Sequence, residues 1–343
     1  MSDAPAVSVV ISTYNRCASL VGALESVLAQ ETSGADYEVI VVDNNSTDQT
    51  HEVVESFIAH GHQRLRYIFE GRQGLSHARN AGVAHARASL IAFTDDDVRA
   101  ARDWVANIKR AFDEHAEVDA VGGKVLPRWQ SEPPPWLTRE HWAPLALLDF
   151  GDVPFYTNLS RPLCLVGANL ALRRSIFDKV GLFEPKFQLV KDGIGSTEDY
   201  ELQRRMWQVG CQGLYVPNVV VSAEVQAERL TKAYHRRWHR GHGVTFATMR
   251  LSEIELSRAR LFDAPAHLYN QAMRNALAWL VCTIQGRQAQ AFYHETKLYF
   301  ISGFLRRRRA DYRAAQAYSP LRELIRFAWA LATNRKPAPE QIR

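Results

Sequence analysis

What this chain has little of narrows the field first. It holds only four cysteines in 343 residues, Cys17, Cys164, Cys211 and Cys282. They lie far apart and form no Cys-x-x-Cys, which argues against a disulfide framework and against a zinc site. No apolar run approaches the ~20 residues that a spanning helix needs. The best candidate, Ala276 to Ile284, is too short. No Gly-x-Gly-x-x-Gly follows the first expected strand, and there is no Walker loop. That argues against a dinucleotide dehydrogenase and against a P-loop enzyme. Met1 to Ala6 lacks a basic start and an apolar core, so no signal peptide is expected. The default expectation is a reducing, cytoplasmic location.

Acidic residues are scarce in one region only. The whole chain carries 42 Lys+Arg against 37 Asp+Glu, a net +5. Residues 1–225 hold 21 against 29, a net −8, while residues 226–343 hold 21 against 8, a net +13. A basic tail of this kind suits an anionic surface. Membrane and nucleic acid are the candidates by charge, and no nucleic-acid-binding motif is recognisable.

What is present centres on Ile91-Ala92-Phe93-Thr94-Asp95-Asp96-Asp97-Val98. An apolar run, read as a buried strand, ends in three carboxylates. Desolvation and mutual repulsion forbid such a triplet in a core without partners. In open α/β sheets, ligands bind beyond the carboxyl ends of the strands. Asp-x-Asp there suits Mg²⁺ or Mn²⁺ holding a diphosphate; a solvated acidic turn is the plainer alternative.

Strands are expected at Val7 to Ile11, Glu38 to Val42, Leu65 to Phe69, Leu90 to Phe93 and Val118 to Val125. Helices fall between them. Leu20, Ala23, Leu24, Val27 and Leu28 share one helical face, and Ser46-Thr47-Asp48-Gln49 reads as a capping box. The alternation predicts a parallel, doubly wound sheet whose loops gather at one edge. Asp43 and Asp95 to Asp97 should therefore share a cleft. Residues 127–162 read as a long loop with Trp129, Trp136 and Trp142, which either stack on an acceptor or pack as a lid. Leu163 to Val166 returns to strand character. Thr197 or Ser196 should cap a helix with Leu202, Met206 and Val209 inward, placing Glu198 and Asp199 in its first turn.

Together these pieces resemble family-2 glycosyltransferases of the GT-A fold. The resemblance runs from Val7 to about Gly243 through Ser-Thr-Tyr-Asn-Arg (12–16), Val-Asp-Asn-Asn-Ser-Thr-Asp (42–48) and Gly-Leu-Ser-His-Ala-Arg-Asn-Ala-Gly (74–82). It continues through Thr-Asp-Asp-Asp (94–97), Gly-Ala-Asn (167–169) and Thr-Glu-Asp (197–199). It implies a Rossmann-like, mostly parallel sheet with helices on both faces, followed by a helical C-terminal extension. The implied division is a catalytic domain at 1–227, with a nucleotide-sugar half at 1–117 and an acceptor half at 118–227, and a helical region at 228–343.

The resemblance also implies roles. Thr13, Tyr14 and Arg16 would line the nucleotide, and Asp43 would accept from a base imide, as in uracil. Arg79 would approach the diphosphate and Asn80 would shape that pocket. Asp97 would hold Mg²⁺ or Mn²⁺, with Asp95 on the ribose or the metal. Asp96 has no evident role. Gly167, Asn169, Glu198 and Trp136 would lie on the acceptor side, and Asp199 would be the general base of a single, inverting displacement. The expected partners are a nucleotide-sugar donor, a glycan or lipid-linked acceptor, and an anionic membrane surface, with no nucleic acid.

Two departures stand out. Ala223 holds the place where the family often has a metal-binding histidine, so Glu224, His235, His239 or His242 would have to substitute, or fewer ligands would suffice. Gln203-Arg204-Arg205-Met206-Trp207 only approaches the Gln-x-x-Arg-Trp box of processive synthases and reads as helix core. In the basic third, Leu298 to Leu305 and Arg306 to Arg309 suggest an apolar plug below a collar of charge at the membrane face. Helices packing on the catalytic domain or on another subunit are the alternative. A non-catalytic binder of nucleotide sugars is the rival from another class, and Thr-Glu-Asp speaks against it.

Overall fold

A computed structural model of the chain describes residues 4–32, 34, 36–187, 197–315, 325 and 328. The described residues form two compact units, one from residues 4–132, 145–187 and 197–227, the other from 133–144 and 228 onward.

The first unit is an α/β sandwich. Strand β1 (Val7–Thr13) is followed by α1 (Cys17–Leu28), β2 (Tyr37–Asp43), α2 (Thr50–Ala59), β3 (Leu65–Phe69), α3 (Leu75–His85) and β4 (Leu90–Asp95). Then come β5 (Val98–Ala100), α4 (Trp104–Glu114), β6 (Ala120–Trp129), β7 (Phe155–Thr157), β8 (Leu170–Arg173), α5 (Ile176–Val180), α6 (Glu198–Gln208) and β9 (Gly213–Val225). The sheet runs β3-β2-β1-β4-β8-β6-β9-β5, with β7 also on β9. Strands β3, β2, β1 and β4 are mutually parallel, β8 is antiparallel to β4 and β6, and β6 is parallel to β9. All seven residues of β1 and of β2 are buried. Helices on both faces demand this, which is why the central strands read as unbroken apolar runs.

Three local expectations change. Leu163 to Val166 is not a strand; the chain crosses extended there and pairs only at β8. The Ser46–Gln49 box does not cap α2. Gln49 precedes α2 without a side-chain cap; Asp48, within that stretch, accepts the Thr50 N–H at 3.1 Å and, at the start of α1, the Cys17 N–H at 2.9 Å. Val209 is exposed (58 %), because α6 ends at Gln208 and Gly210 turns the chain at φ 84°.

The second unit contains α7 (Lys232–Met249), α8 (Ala266–Ile284) and α9 (Gln288–Ala315). Helices α7 and α9 meet at two glycines: a Cβ on Gly243 would overlap the Phe300 carbonyl, and one on Gly303 the Arg240 carbonyl. The unit's core includes Ala247, Ala264, Leu268 and Phe304. This corrects the expected apolar plug. Ile301 and Phe304 are buried inside the unit, and Arg308 is fully buried between Glu255 and Asp263. Among the described residues no helix is long and apolar enough to cross a membrane.

Gly243→Val should therefore force α7 and α9 apart and destabilise the protein by about 1–3 kcal/mol through overpacking. Chemical denaturation checks it; an unchanged midpoint would mean that this helix contact carries no strain.

Candidate active site

The loops that follow the parallel strands are laced together. Thr13 and Asp43 end β1 and β2 in register. The Asn44 N–H donates to the Thr13 carbonyl at 2.8 Å. Asn15 sits at φ 51°, a left-handed conformation that asparagine tolerates. From there its N–H donates to Ser46 Oγ (3.0 Å) and its Oδ1 accepts the Thr47 N–H (2.7 Å). The Asn44 side chain extends the lacing, donating to the Arg72 carbonyl (2.7 Å) and accepting the Gly74 N–H (2.6 Å). Three loops thus form one rim.

The acidic triplet joins that rim because β4 lies beside β1, with Ser12 opposite Asp95. Thr13 Oγ1 donates to Asp96 at 2.8 Å, and Arg16 donates to Asp96 at 3.2 Å and to Asp97 at 2.8 Å. Asp96, without a role in the sequence reading, is therefore the bond between the first loop and the triplet. Desolvation pushes Asp96 up to about 7; Arg16 opposes this, and the neighbouring Asp97 and Asp95 add to it. Burial likewise raises Asp95, although Arg79 opposes it.

Crowded, partly buried carboxylates of this kind fit a divalent cation: the donors are all hard oxygens, and a cation would relieve their repulsion. Among the described residues, no group of three or more His, Cys, Asp or Glu converges as a ready-made cage. Asp97 and Asp95 remain the candidate donors. Pairing of β5 with β9 sets Val98 opposite Ala223, and the Glu224 N–H donates to the Asp97 carbonyl at 2.9 Å. The Glu224 carboxylate itself is taken by the Gln130 amide. His235, His239 and His242 belong to the second unit. There His235 packs on Trp136, and His242 stacks on Trp238 with ring centroids 4.4 Å apart.

Beneath the triplet lies Arg79. It is 3 % exposed and donates to Glu198 at 2.7 Å and to Asp95 at 3.5 Å. Its guanidinium lies against Gly167, where a Cβ would come within 2.5 Å of it. Arg79, expected at the diphosphate, ties α3, β4 and α6 together here. The Gly167 N–H donates to Asp199 Oδ2 at 3.0 Å, and the Tyr200 N–H donates to Oδ1 at 2.7 Å. Desolvation, reinforced by Glu198 and opposed by Arg79 and the two N–H donors, pushes Asp199 up to about 6. Gln203, read as helix core, holds this corner: its Oε1 accepts the Leu165 N–H at 2.9 Å, and its Nε2 donates to the Leu165 carbonyl at 2.8 Å and to the Asp199 carbonyl at 3.1 Å.

Other expected site residues are engaged internally. Asp43, expected to meet a base imide, accepts from Tyr67 Oη (2.7 Å) and the Ser46 N–H (2.9 Å) and is 3 % exposed. Asn80 pairs through both side-chain atoms with the Phe183 backbone. Asn169 is consumed by Trp104 Nε1 and by the Lys124 and Val219 carbonyls. Trp136 packs with His141, His235 and Phe292 in the second unit. Asn80, Asn169 and Trp136 each make internal contacts, as a buried polar group must be satisfied and a buried ring covered. Tyr14, by contrast, is exposed (46 %) and available to stack. Thr197 stands at the start of α6 without a side-chain cap, and Ser196 lies outside the described residues. Asp96, Gln203, Asn44 and Tyr67 are the residues that sequence reasoning missed. Asp96, Asn44 and Gln203 stood inside the quoted motifs, whereas Tyr67 carried no signal.

A parallel-edge rim, an acidic triplet at a strand end and a carboxylate at a helix start define a GT-A type of site. The family described as Glycosyl transferase family 2 matches residues 8–181, half of the chain, and the chain belongs to that family. A validoxylamine A glucosyltransferase of Streptomyces hygroscopicus subsp. jinggangensis is 32% identical over 226 residues, covering 60% of this chain and 52% of that protein. A glucosyl-dolichyl phosphate glucuronosyltransferase of Haloferax volcanii is 28% identical over 181 residues, 52% of this chain and 56% of that protein. The chain thus spans about half the length of these curated relatives. Among solved structures, a mannosyltransferase from Pyrobaculum calidifontis, in complex with GDP-Man and Mn2+, matches with a TM-score of 0.54 at 21% identity. That match covers 97% of this chain and 82% of the other. It shows the GT-A fold.

Because Asp199 is raised, its carboxyl holds a proton in the folded protein that the unfolded chain releases. Stability should fall as pH rises from about 4 to about 6, the interval between the ordinary carboxyl value and the raised one. Asp199→Asn should remove that part of the fall. Denaturation midpoints across this pH range, for both proteins, check it; identical slopes would contradict the raised value.

Proposed function

We propose that this chain is an inverting glycosyltransferase that moves one sugar from a nucleotide sugar to an acceptor hydroxyl. A uridine diphosphate sugar is the first donor to test, and the acceptor is a cell-surface glycan or a lipid-linked molecule met at the cytoplasmic membrane face. In this reading residues 1–227 are the catalytic domain, with a nucleotide half at 1–117 and an acceptor half at 118–227, and residues 228–343 are a helical extension.

The observation that carries the reading is the half-buried Asp199, held by two N–H donors beside the Arg79–Glu198 pair. Its raised position makes it a stronger proton acceptor once ionised, and a positioned carboxylate can take the proton as the hydroxyl attacks C1. Thr13, Tyr14 and Arg16 bind the nucleotide, with the exposed Tyr14 ring against the base. Asp97 with Asp95 would hold Mg²⁺ or Mn²⁺, which when bound would neutralise charge developing on the leaving diphosphate. Arg16, half-exposed and pairing with the triplet, is the side chain that adds a fixed positive charge on that side. The named activities of the relatives support sugar transfer, and the lipid-linked name of the Haloferax volcanii protein supports that acceptor class.

Nucleotide release from a panel of nucleotide sugars, with Mg²⁺ and with Mn²⁺, tests the activity. Asp199→Asn should retain donor binding by calorimetry and lose ~10²–10⁴ in transfer rate. Donor binding with no release from any donor would favour the non-catalytic binder. Asp97→Ala should abolish the effect of Mn²⁺ on nucleotide affinity, while chelator should reproduce that loss in the unaltered protein. Retained Mn²⁺ dependence would remove Asp97 from the metal.

A further inference from the structure

Helix α8 is built inside out. A helix on the surface of a water-soluble unit turns its apolar stripe inward. In α8 the outward stripe is Met273, Leu277, Leu280 and Ile284, spaced i, i+4, i+7, i+11, with Val281 beside it. Their exposures are 62 %, 65 %, 48 %, 77 % and 49 %. Trp279 adds a further ring at 39 %. The half-buried positions are instead the small or polar Ala272, Asn275, Ala278 and Cys282. Asn275 spends its side chain within the unit, its amide donating to the Gln271 carbonyl (2.8 Å) and its Oδ1 lying 3.0 Å from His294 Nδ1 of α9. Polar groups face the protein, and large apolar groups face away from it. Contiguous apolar surface of this kind marks an interaction site.

The charge around the stripe indicates which partner. Residues 264–294 contain no Asp or Glu, whereas Arg274 and Arg287 are exposed at either side of the stripe. A second copy of the same face would set these arginines against each other with no acid to pair. An anionic bilayer surface offers both things the face wants: acyl chains for the stripe and headgroup phosphates for the arginines. Trp279 suits that boundary, since its ring is apolar and its N–H seeks a polar partner. The stripe runs over eleven residue steps, Met273 to Ile284, about 16 Å at 1.5 Å per residue, enough to lie in the interface and too short to cross.

We propose that α8 is an interfacial docking helix that seats this protein on anionic membrane, with Met273, Leu277, Leu280, Val281 and Ile284 entering the acyl boundary and Arg274 and Arg287 at headgroup level. This deepens the membrane-facing part of the proposed function. It replaces the expected plug at Leu298 to Leu305, whose Phe304 is core. The proposal is tested by binding rather than by transfer, so its failure leaves the sugar-transfer reading standing.

Co-sedimentation of the full chain with phosphatidylcholine vesicles and with mixed phosphatidylcholine–phosphatidylglycerol vesicles is the test. The chain should pellet with the mixed vesicles. Leu277→Glu with Ile284→Glu should lower the bound fraction at least tenfold at unchanged circular dichroism, because both side chains are exposed and their replacement removes no core contact. Arg274→Gln with Arg287→Gln should weaken binding to mixed vesicles and abolish its sensitivity to salt, since screening acts on the charges and not on the stripe. A chain that stays in the supernatant with every vesicle overturns the proposal. So does light scattering that gives twice the 38.9 kDa chain mass, reverting to one on Leu277→Glu, because the face would then be an interface between copies. So does undiminished pelleting of the double glutamate variant.

Discussion

The buried guanidinium of Arg79 is the constraint on which the first unit's site depends. It joins Glu198, 119 residues further along the chain, to Asp95 at the end of β4. An unpaired charge in such a place would cost several kcal/mol, and removing one partner of a buried pair typically costs 3–5 kcal/mol. The pair therefore fixes where α6 begins relative to the acidic triplet. Gly167 is required by the same packing, since only a residue without a Cβ lets the guanidinium lie flat against its backbone. With α6 so placed, Asp199 meets the Gly167 N–H, and its charge is tuned by the neighbours that hold it.

A second layer of order comes from the sheet. Parallel strands deliver their loops to one edge, and the loops after β1, β2 and β3 are bonded to one another before any ligand is considered. The lacing uses short polar side chains at Asn15, Asn44, Ser46 and Asp48, each satisfying backbone N–H or C=O groups that a loop leaves unpaired. A rim of this kind is preorganised, so ligand binding there need not order the backbone. Asp96 then ties the rim to the triplet through Thr13 and Arg16.

The sheet was legible because both of its faces are covered: central strands buried on two sides write themselves as unbroken runs such as Val7 to Ile11. The order of motifs was legible too, since each lies at a strand end or a helix start. Partner choice was not. Nothing in the spacing says that Arg79 turns inward to Glu198, or that Asn169 is spent on Trp104 and two carbonyls, because those choices depend on β8 running antiparallel between β4 and β6. The C-terminal third misled for a related reason. Leu298 to Leu305 and the arginines after it look like a surface device along the sequence. Yet α9 packs against α7 through Gly243 and Gly303, which draws Phe304 and Arg308 inside. Helix α8, which carries the apolar run Ala276 to Ile284, is left with its large side chains outward.

In the proposed function, the Arg79–Glu198 pair sets the proton affinity of Asp199 as general base. The direct measurement is the pH dependence of single-turnover sugar transfer in the unaltered protein and in Glu198→Gln. Removing the Glu198 charge takes away a repulsion that raises Asp199 and frees Arg79 to stabilise the ionised carboxylate. Both effects act in the same direction. The acid limb of the profile, expected near pH 6 in the unaltered protein, should move to lower pH in the variant. An acid limb that stays in place, with only the height of the profile changed, would contradict the account.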